Sequence, residues 1–93
     1  MIKSFADKTT EALFATGKAK RVPNEVAKRA VRKLDMIDGA YRIEDLRVPS
    51  GNKLHALTGN GEGQWAISVN DQWRICFRFE DEDAFDVEFC DYH

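Results

Sequence analysis

The chain has 93 residues and a net charge of −2, with 43% apolar residues, which suits one small domain with a single modest core. No stretch approaches the ~20 consecutive apolar residues of a membrane span, and the N-terminus lacks the apolar run of a secretory signal. Its two cysteines, Cys76 and Cys90, are too few for a disulfide framework, so two reduced thiols in a cytoplasmic protein are expected.

The charge is unevenly placed. Residues 1–34 carry nine basic and three acidic side chains, whereas residues 80–93 carry seven acidic and none basic. A polyanion would meet the first third, at Lys18, Lys20, Arg21, Lys28, Arg29, Arg32 and Lys33. A solvated helix face explains such a run equally well.

In chain order, Met1–Phe5 alternates as a terminal strand would. Asp7 or Thr9 caps a helix that runs to about Thr16, with Ala12, Leu13, Phe5 and Phe14 as apolar contacts and Gly17 as the stop. Pro23 suits the first turn of a second helix, with Asn24 as a candidate cap. Val26, Ala27, Ala30, Val31, Leu34 and Ile37 recur at helical spacing, and Gly39 stands where a C-terminal cap belongs. A helical turn at Ile43–Leu46 and a loop at Pro49–Asn52 follow. Lys53–Leu57 reads as a short strand, and the glycine-dense Thr58–Gly63 as a turn without the surroundings of a phosphate loop.

Gly63–Phe79 reads as a β-hairpin. Trp65, Ile67, Val69, Trp73, Ile75, Phe77 and Phe79 alternate with polar or small residues, which predicts one buried face and one wet face. Opposing Val69 to Trp73 and Ile67 to Ile75 keeps the apolar residues together and leaves the loop Asn70-Asp71-Gln72. A one-residue slip drives Arg74 into the core. With no glycine in that loop, Asn70 or Asp71 is expected in the left-handed region. Glu80–Asp83 is an acidic turn, and Phe85, Val87 and Phe89 form the inward face of a last strand. Helices followed by antiparallel strands make an α+β fold.

Few residues suit chemistry. Histidine is the side-chain type suited to proton transfer near neutrality, and the chain has two, His55 and His93, although a strand histidine is usually a surface residue and a terminal one a frayed end. No paired Cys or His spacing supports a metal site, and no nucleophile elbow is present. Arg74 faces the small residues Ser68 and Ala66, where an anion has room. Arg78 shares that face and reads most simply as paired with the acidic tail.

The segments Lys53-Leu54-His55-Ala56-Leu57, Glu62–Ile67, Asn70-Asp71-Gln72-Trp73-Arg74-Ile75-Cys76-Phe77 and the closing Asp91-Tyr92-His93 together resemble the HigB-type toxins of the RelE/ParE superfamily. The resemblance spans the chain. It implies a small antiparallel sheet with two main N-terminal helices on one face. It also implies the toxin of a type II toxin–antitoxin module, a ribosome-dependent mRNA endoribonuclease that uses no metal or cofactor. The implied partners are the ribosome, mRNA and a HigA-type antitoxin with a helix-turn-helix domain, with DNA met only through the antitoxin. In the implied reaction the ribose 2′-OH attacks the adjacent phosphate, leaving a cyclic phosphate and a 5′-OH. Carried onto this chain, the site comprises His55, Arg74, Asp91, Tyr92 and His93. Arg74 stabilises transition-state charge, His55 and His93 move protons, Asp91 orients a histidine, and Tyr92 stacks on or positions a base. Lys18 to Lys33 and Arg78 are the expected RNA contacts. The chain departs from its relatives at Thr58, where a lysine is common, and at Asn70, where an arginine is common. The ParE branch, which poisons DNA gyrase without a nuclease site, and an inert antitoxin-binding relic share the same expected fold.

Overall fold

The computed structural model describes residues 1–92. Its elements run α1 (Lys8–Thr16), α2 (Asn24–Gly39), β1 (His55–Ala56), β2 (Trp65–Ser68), β3 (Trp73–Glu80) and β4 (Asp83–Asp91), with short 3₁₀ turns at Ile43–Arg47, Ser50–Asn52 and Gly59–Gly61. The four strands form one antiparallel sheet in the order β1-β2-β3-β4.

Local chemistry accounts for the helix ends. Asp7 Oδ1 accepts from Thr10 N–H at 2.8 Å and from Thr10 Oγ1–H at 2.7 Å, and Gly17, at φ 79°, closes α1 in the left-handed region. In α2 the expected caps differ. Asn24 is the first helical residue behind Pro23, and Gly39 is the last helical residue before an extended Ala40. Ala27, Ala30, Leu34 and Ile37 line the buried stripe, while Val26 and Val31 sit at its margins.

That stripe, with Leu13 and Leu46, packs on Ile67, Val69, Ile75, Phe77, Ala84, Val87 and Phe89. Both helices therefore lie on one face of the sheet, as expected. The Met1–Phe5 segment does not form a full strand. It runs parallel to β4 through bridges at Ile2–Ala84 and Phe5–Val87, and so covers an edge that is otherwise unpaired. Thr10 adds a further tie: its hydroxyl accepts the Phe89 N–H at 2.8 Å. A buried threonine on the inner face of α1 is thus satisfied by a strand donor.

Two strands depart from strict alternation. Lys53–Leu57 is a strand only at His55–Ala56, because Lys53 is left-handed at φ 50°. In β4 the pairing shifts opposite Cys76–Arg78, and Asp86 adopts φ 53°. This bulge places Ala84 in the core and turns Phe85 to the outer face, beside Arg78. The expected inward Phe85 is corrected accordingly.

Candidate active site

The β2–β3 register has Ile67 opposite Ile75 and Ser68 opposite Arg74, and Val69 N–H donates to Trp73 C=O at 2.9 Å. The predicted three-residue loop is therefore present. Its closure is different: neither Asn70 nor Asp71 is left-handed. Asn70 Oδ1 instead accepts from the N–H groups of Gln72, at 2.9 Å, and Trp73, at 2.8 Å. A side-chain carbonyl imitating a backbone turn removes the need for positive φ.

The register leaves Arg74 on the face away from the helices. That face is not wet at its centre. Ala66, Ser68 and Cys76 are buried there, under longer neighbours that alternation alone does not reveal. Arg74 itself is half-buried. Its Cζ lies 5.2 Å from the centre of the Tyr92 ring, a cation–π distance. Its Nε is fully buried and meets no acceptor among the described residues. Burial alone lowers the Arg74 pKa, but the neighbouring Cys90, Cys76 and Tyr92 side chains raise it, so the guanidinium stays charged. A charged guanidinium with one buried N–H lacking an acceptor among the described residues has the chemistry to bind an anion.

Arg74 forms part of an open cleft of about 410 Å³, together with His55, Ala56, Leu57, Thr58, Asn60 and Gly61. His55 shares this face because it stands opposite Ala66. Its ring is exposed, and Nδ1 lies 2.8 Å from the Lys53 carbonyl oxygen. A carbonyl only accepts, so Nδ1 carries the hydrogen, and the lone pair of the neutral ring falls on Nε2. The loop beside it is glycine-rich for a steric reason. Gly59 and Gly63 have φ of 65° and 94°, and a Cβ on Gly61 would come within 2.9 Å of Leu57.

The end of β4 carries the other expected residues. Asp91 stands opposite Trp73, on the helix side of the sheet rather than the Arg74 side, and accepts from Gln72 Nε2 at 3.3 Å. Tyr92 is held by its N–H, which donates to the Gln72 carbonyl at 2.9 Å, so Gln72 grips both residues of the strand end. His93 lies outside the described residues. Arg78 pairs through Nε with Asp86 at 3.0 Å and through Nη1 with Glu80 at 2.9 Å, and it stacks on Phe85.

Lys18, Lys20 and Arg21 are exposed on the α1–α2 connector, and Lys28, Arg29 and Arg32 on α2. Lys33 is half-buried and donates to Asn52 Oδ1; burial, then the charge of Arg29, lowers its pKa. Asn52 is buried and donates in turn to the Leu46 carbonyl at 3.1 Å. Lys33 thus also ties α2 to the loop that follows it. Because α2 packs on the core side, its basic face and the cleft lie on opposite sides of the sheet.

The two thiols are reduced, as expected, but sequence reasoning missed that they meet beside Arg74. Cys76 and Cys90 are free, with their sulfurs 3.2 Å apart beside Arg74. The signal was present, since Cys76 has the same parity as Arg74 on one strand.

Residues 3–93 match the HigB-like toxin family, described as RelE-like toxin of type II toxin–antitoxin system HigB. The chain is 41% identical over 93 residues, all of both chains, to "Endoribonuclease HigB" of Proteus vulgaris. It is 37% identical to "Toxin HigB-1" of Vibrio cholerae over 87% of this chain and 86% of that one. Among solved structures, YafQ from E. coli superposes with a TM-score of 0.55 at 18% identity, covering 94% of this chain and 89% of that one. A histidine-to-glutamine mutant of YafQ superposes with a TM-score of 0.56 at 17% identity over the same shares.

Proposed function

The chain belongs to the HigB-like family of RelE-like toxins from type II toxin–antitoxin systems, and from that premise we propose that it is an endoribonuclease acting at the Arg74–His55 cleft. A type II toxin has an antitoxin partner; we assign it a HigA-type protein with a helix-turn-helix domain, through which alone the pair meets DNA. Arg74 carries the reading. A charged fork with a buried donor lacking an acceptor among the described residues matches a phosphate, and gains most as the pentacovalent state acquires charge.

The ribose 2′-OH is the nucleophile, so the substrate brings its own attacking oxygen and no metal-activated water is required. His55 Nε2, with Nδ1–H committed to the Lys53 carbonyl, takes the 2′-OH proton or returns one to the leaving 5′-oxygen. His93 is the partner for the second transfer. Tyr92 holds the guanidinium by its ring and stacks on or positions a base. Gln72 and Asp91 set the strand end that presents Tyr92.

The target is mRNA on the ribosome. The basic side of α2 and the cleft are separated by the sheet in a molecule whose extents are 30 × 25 × 25 Å. One short RNA strand in the cleft does not reach that basic side, whereas a partner that surrounds the toxin reaches both. Action on ribosomes places the protein in the cytoplasm, in keeping with the lack, among the described residues, of any helix long and apolar enough to cross a membrane.

Primer extension on a message in a translating extract tests this reading. Cuts are expected only with ribosomes and should persist in EDTA-treated toxin stocks. His55→Gln should lower cutting at least ~100-fold, the usual scale for a proton-transfer group. Equal cutting of naked RNA refutes the ribosome dependence, and full activity in His55→Gln refutes its role.

A further inference from the structure

The cleft has a neighbour that the nuclease reading leaves unused. Cys76 on β3 and Cys90 on β4 are diagonal neighbours on the Arg74 face, because Arg74 stands opposite Cys90 and Cys76 opposite Glu88. Their sulfurs are 3.2 Å apart. Cys76 is buried, with 4% exposure, while Cys90 is half-buried and open to a small oxidant. We propose that Cys76 and Cys90 are a peroxide-reactive dithiol whose oxidation to a disulfide withdraws Arg74 from the cleft. The regulatory half rests on the nuclease reading; the modification site does not.

The division of labour follows from the surroundings. A hydrogen bond from Cys76, opposed by burial and aided by the Arg74 guanidinium, lowers Cys90 to about 7. The same hydrogen bond, together with burial and the charge of Cys90, raises Cys76. Cys90 is therefore the attacking thiolate and Cys76 the resolving thiol. The Cys90 sulfur attacks one peroxide oxygen, the O–O bond breaks, and hydroxide leaves to become water after taking a proton. Cys76 sulfur then attacks the Cys90 sulfenic acid. The S–S bond forms, the S–O bond breaks, and the hydroxyl leaves as water with the Cys76 proton. Two thiols are oxidised and one peroxide is reduced to two waters.

Closing the bond moves the strands. Sulfurs in a disulfide are about 2.05 Å apart, and diagonal positions on paired strands are wider than the spacing a disulfide prefers. The bulge beside Cys76 supplies the slack. A bond that needs such adjustment is readily reduced, which is what a reversible device in a reducing cell requires. Oxidation removes the thiolate beside Arg74 and pulls on Cys90, two residues before Tyr92, so the Arg74–Tyr92 contact changes with it.

The full-length protein is treated with hydrogen peroxide and read by intact mass, peptide mapping, the Arg74 Nε–H NMR resonance and ribosome-dependent cutting. The expected result is loss of two hydrogens, a Cys76–Cys90 linked peptide, a shifted Arg74 resonance, and at least ~10-fold weaker cutting that a dithiol reductant restores. Cys76→Ser should stop at a sulfenic acid trapped by dimedone, and Cys90→Ser should not react. Thiols that stay reduced, or a Cys90 driven to sulfinic acid without the bond, overturn the proposal. So does a bond that leaves both the Arg74 resonance and the cutting unchanged. A bond that shifts Arg74 in a protein inactive in both states supports the dithiol and refutes the nuclease reading instead.

Discussion

Arg74 and Arg78 lie four residues apart on β3, and each rests on an aromatic ring, Arg74 at 5.2 Å from Tyr92 and Arg78 at 5.5 Å from Phe85. Their charges have opposite fates. Arg78 reaches two carboxylates, Asp86 and Glu80, and its field is cancelled where it stands. Arg74 faces serine, cysteine and tyrosine, and its buried Nε has no acceptor among the described residues. The pair separates an arginine that fastens a hairpin from one that we propose meets a phosphate. Proximity to an aromatic does not distinguish them; among the described residues, the ion pairs of Arg78 do.

Truncation should expose this difference most strongly. If Arg74 donates to developing phosphate charge as proposed, Arg74→Ala removes that donor, and such losses run to about 10³-fold. Arg74→Lys keeps the charge but loses the planar fork and should recover little. Arg78→Ala should leave cutting within about threefold, since its charge is already answered by carboxylates. The measurement is the initial rate of ribosome-dependent cleavage at matched protein concentration. Comparable losses in the two alanine variants would break the distinction.

Much of this was legible from alternation. The hairpin register follows from which residues must share a core, and it places Arg74 on the outer face without further information. The dryness of that face was not legible. Period-2 patterning tells which side Ser68 and Cys76 point to, and says nothing of whether Arg74, Tyr92 and the 58–63 loop cover them. Phe85 was misplaced because the bulge at Asp86 depends on a left-handed aspartate, which few sequence signals announce. Thr10 was overlooked because a threonine inside an apolar stripe looks like an error until Phe89 N–H needs an acceptor. Asp91 and Tyr92 came together by resemblance alone; alternation places them on opposite faces of the strand end, which leaves Tyr92 as the one beside Arg74.

A smaller effect sharpens the electrostatics around Arg74. Cys90 lies among Cys76, Glu88, Arg74 and Tyr92. Cys76 and Arg74 favour its thiolate, while burial and Glu88 oppose it. Its pKa falls from an ordinary 9.0 to about 7, so alkylation by iodoacetamide should rise through neutral pH. At pH 7 the thiolate fraction should exceed that of an unperturbed thiol by about tenfold or more. Cys76→Ala should move the profile upward more than Arg74→Ala, because the hydrogen bond from Cys76 is the larger cause. The sign for stability follows. A lowered folded pKa favours the folded state above the unfolded value, and this contribution is lost as pH falls through about 7. A profile centred near 9 in the wild type would show that Cys76 and Arg74 do not outweigh burial and Glu88 at this thiol.

The smallest effect concerns folding. Arg78 is 41% exposed at its side chain, and its partners Glu80 and Asp86 are 64% and 51% exposed. Screening by solvent therefore limits each pair to a fraction of about 1 kcal/mol, and stacking on the half-buried Phe85 adds about 0.5–1 kcal/mol. Arg78→Ala should cost about 1 kcal/mol in all, a fall of about 4–8 °C in Tm for a chain of this size. At 1 M salt, where screening acts within about 3 Å, only the stacking part should survive. Arg74→Ala should cost less than this, because the loss of its contact with Tyr92 is offset by relief of a buried donor that lacks an acceptor among the described residues. Thermal melts of both variants at low and high salt decide the matter. If Arg74→Ala proves the more destabilising of the two, Arg74 belongs with the residues that hold the sheet together, and the proposal of a phosphate site in the cleft loses the feature that carries it.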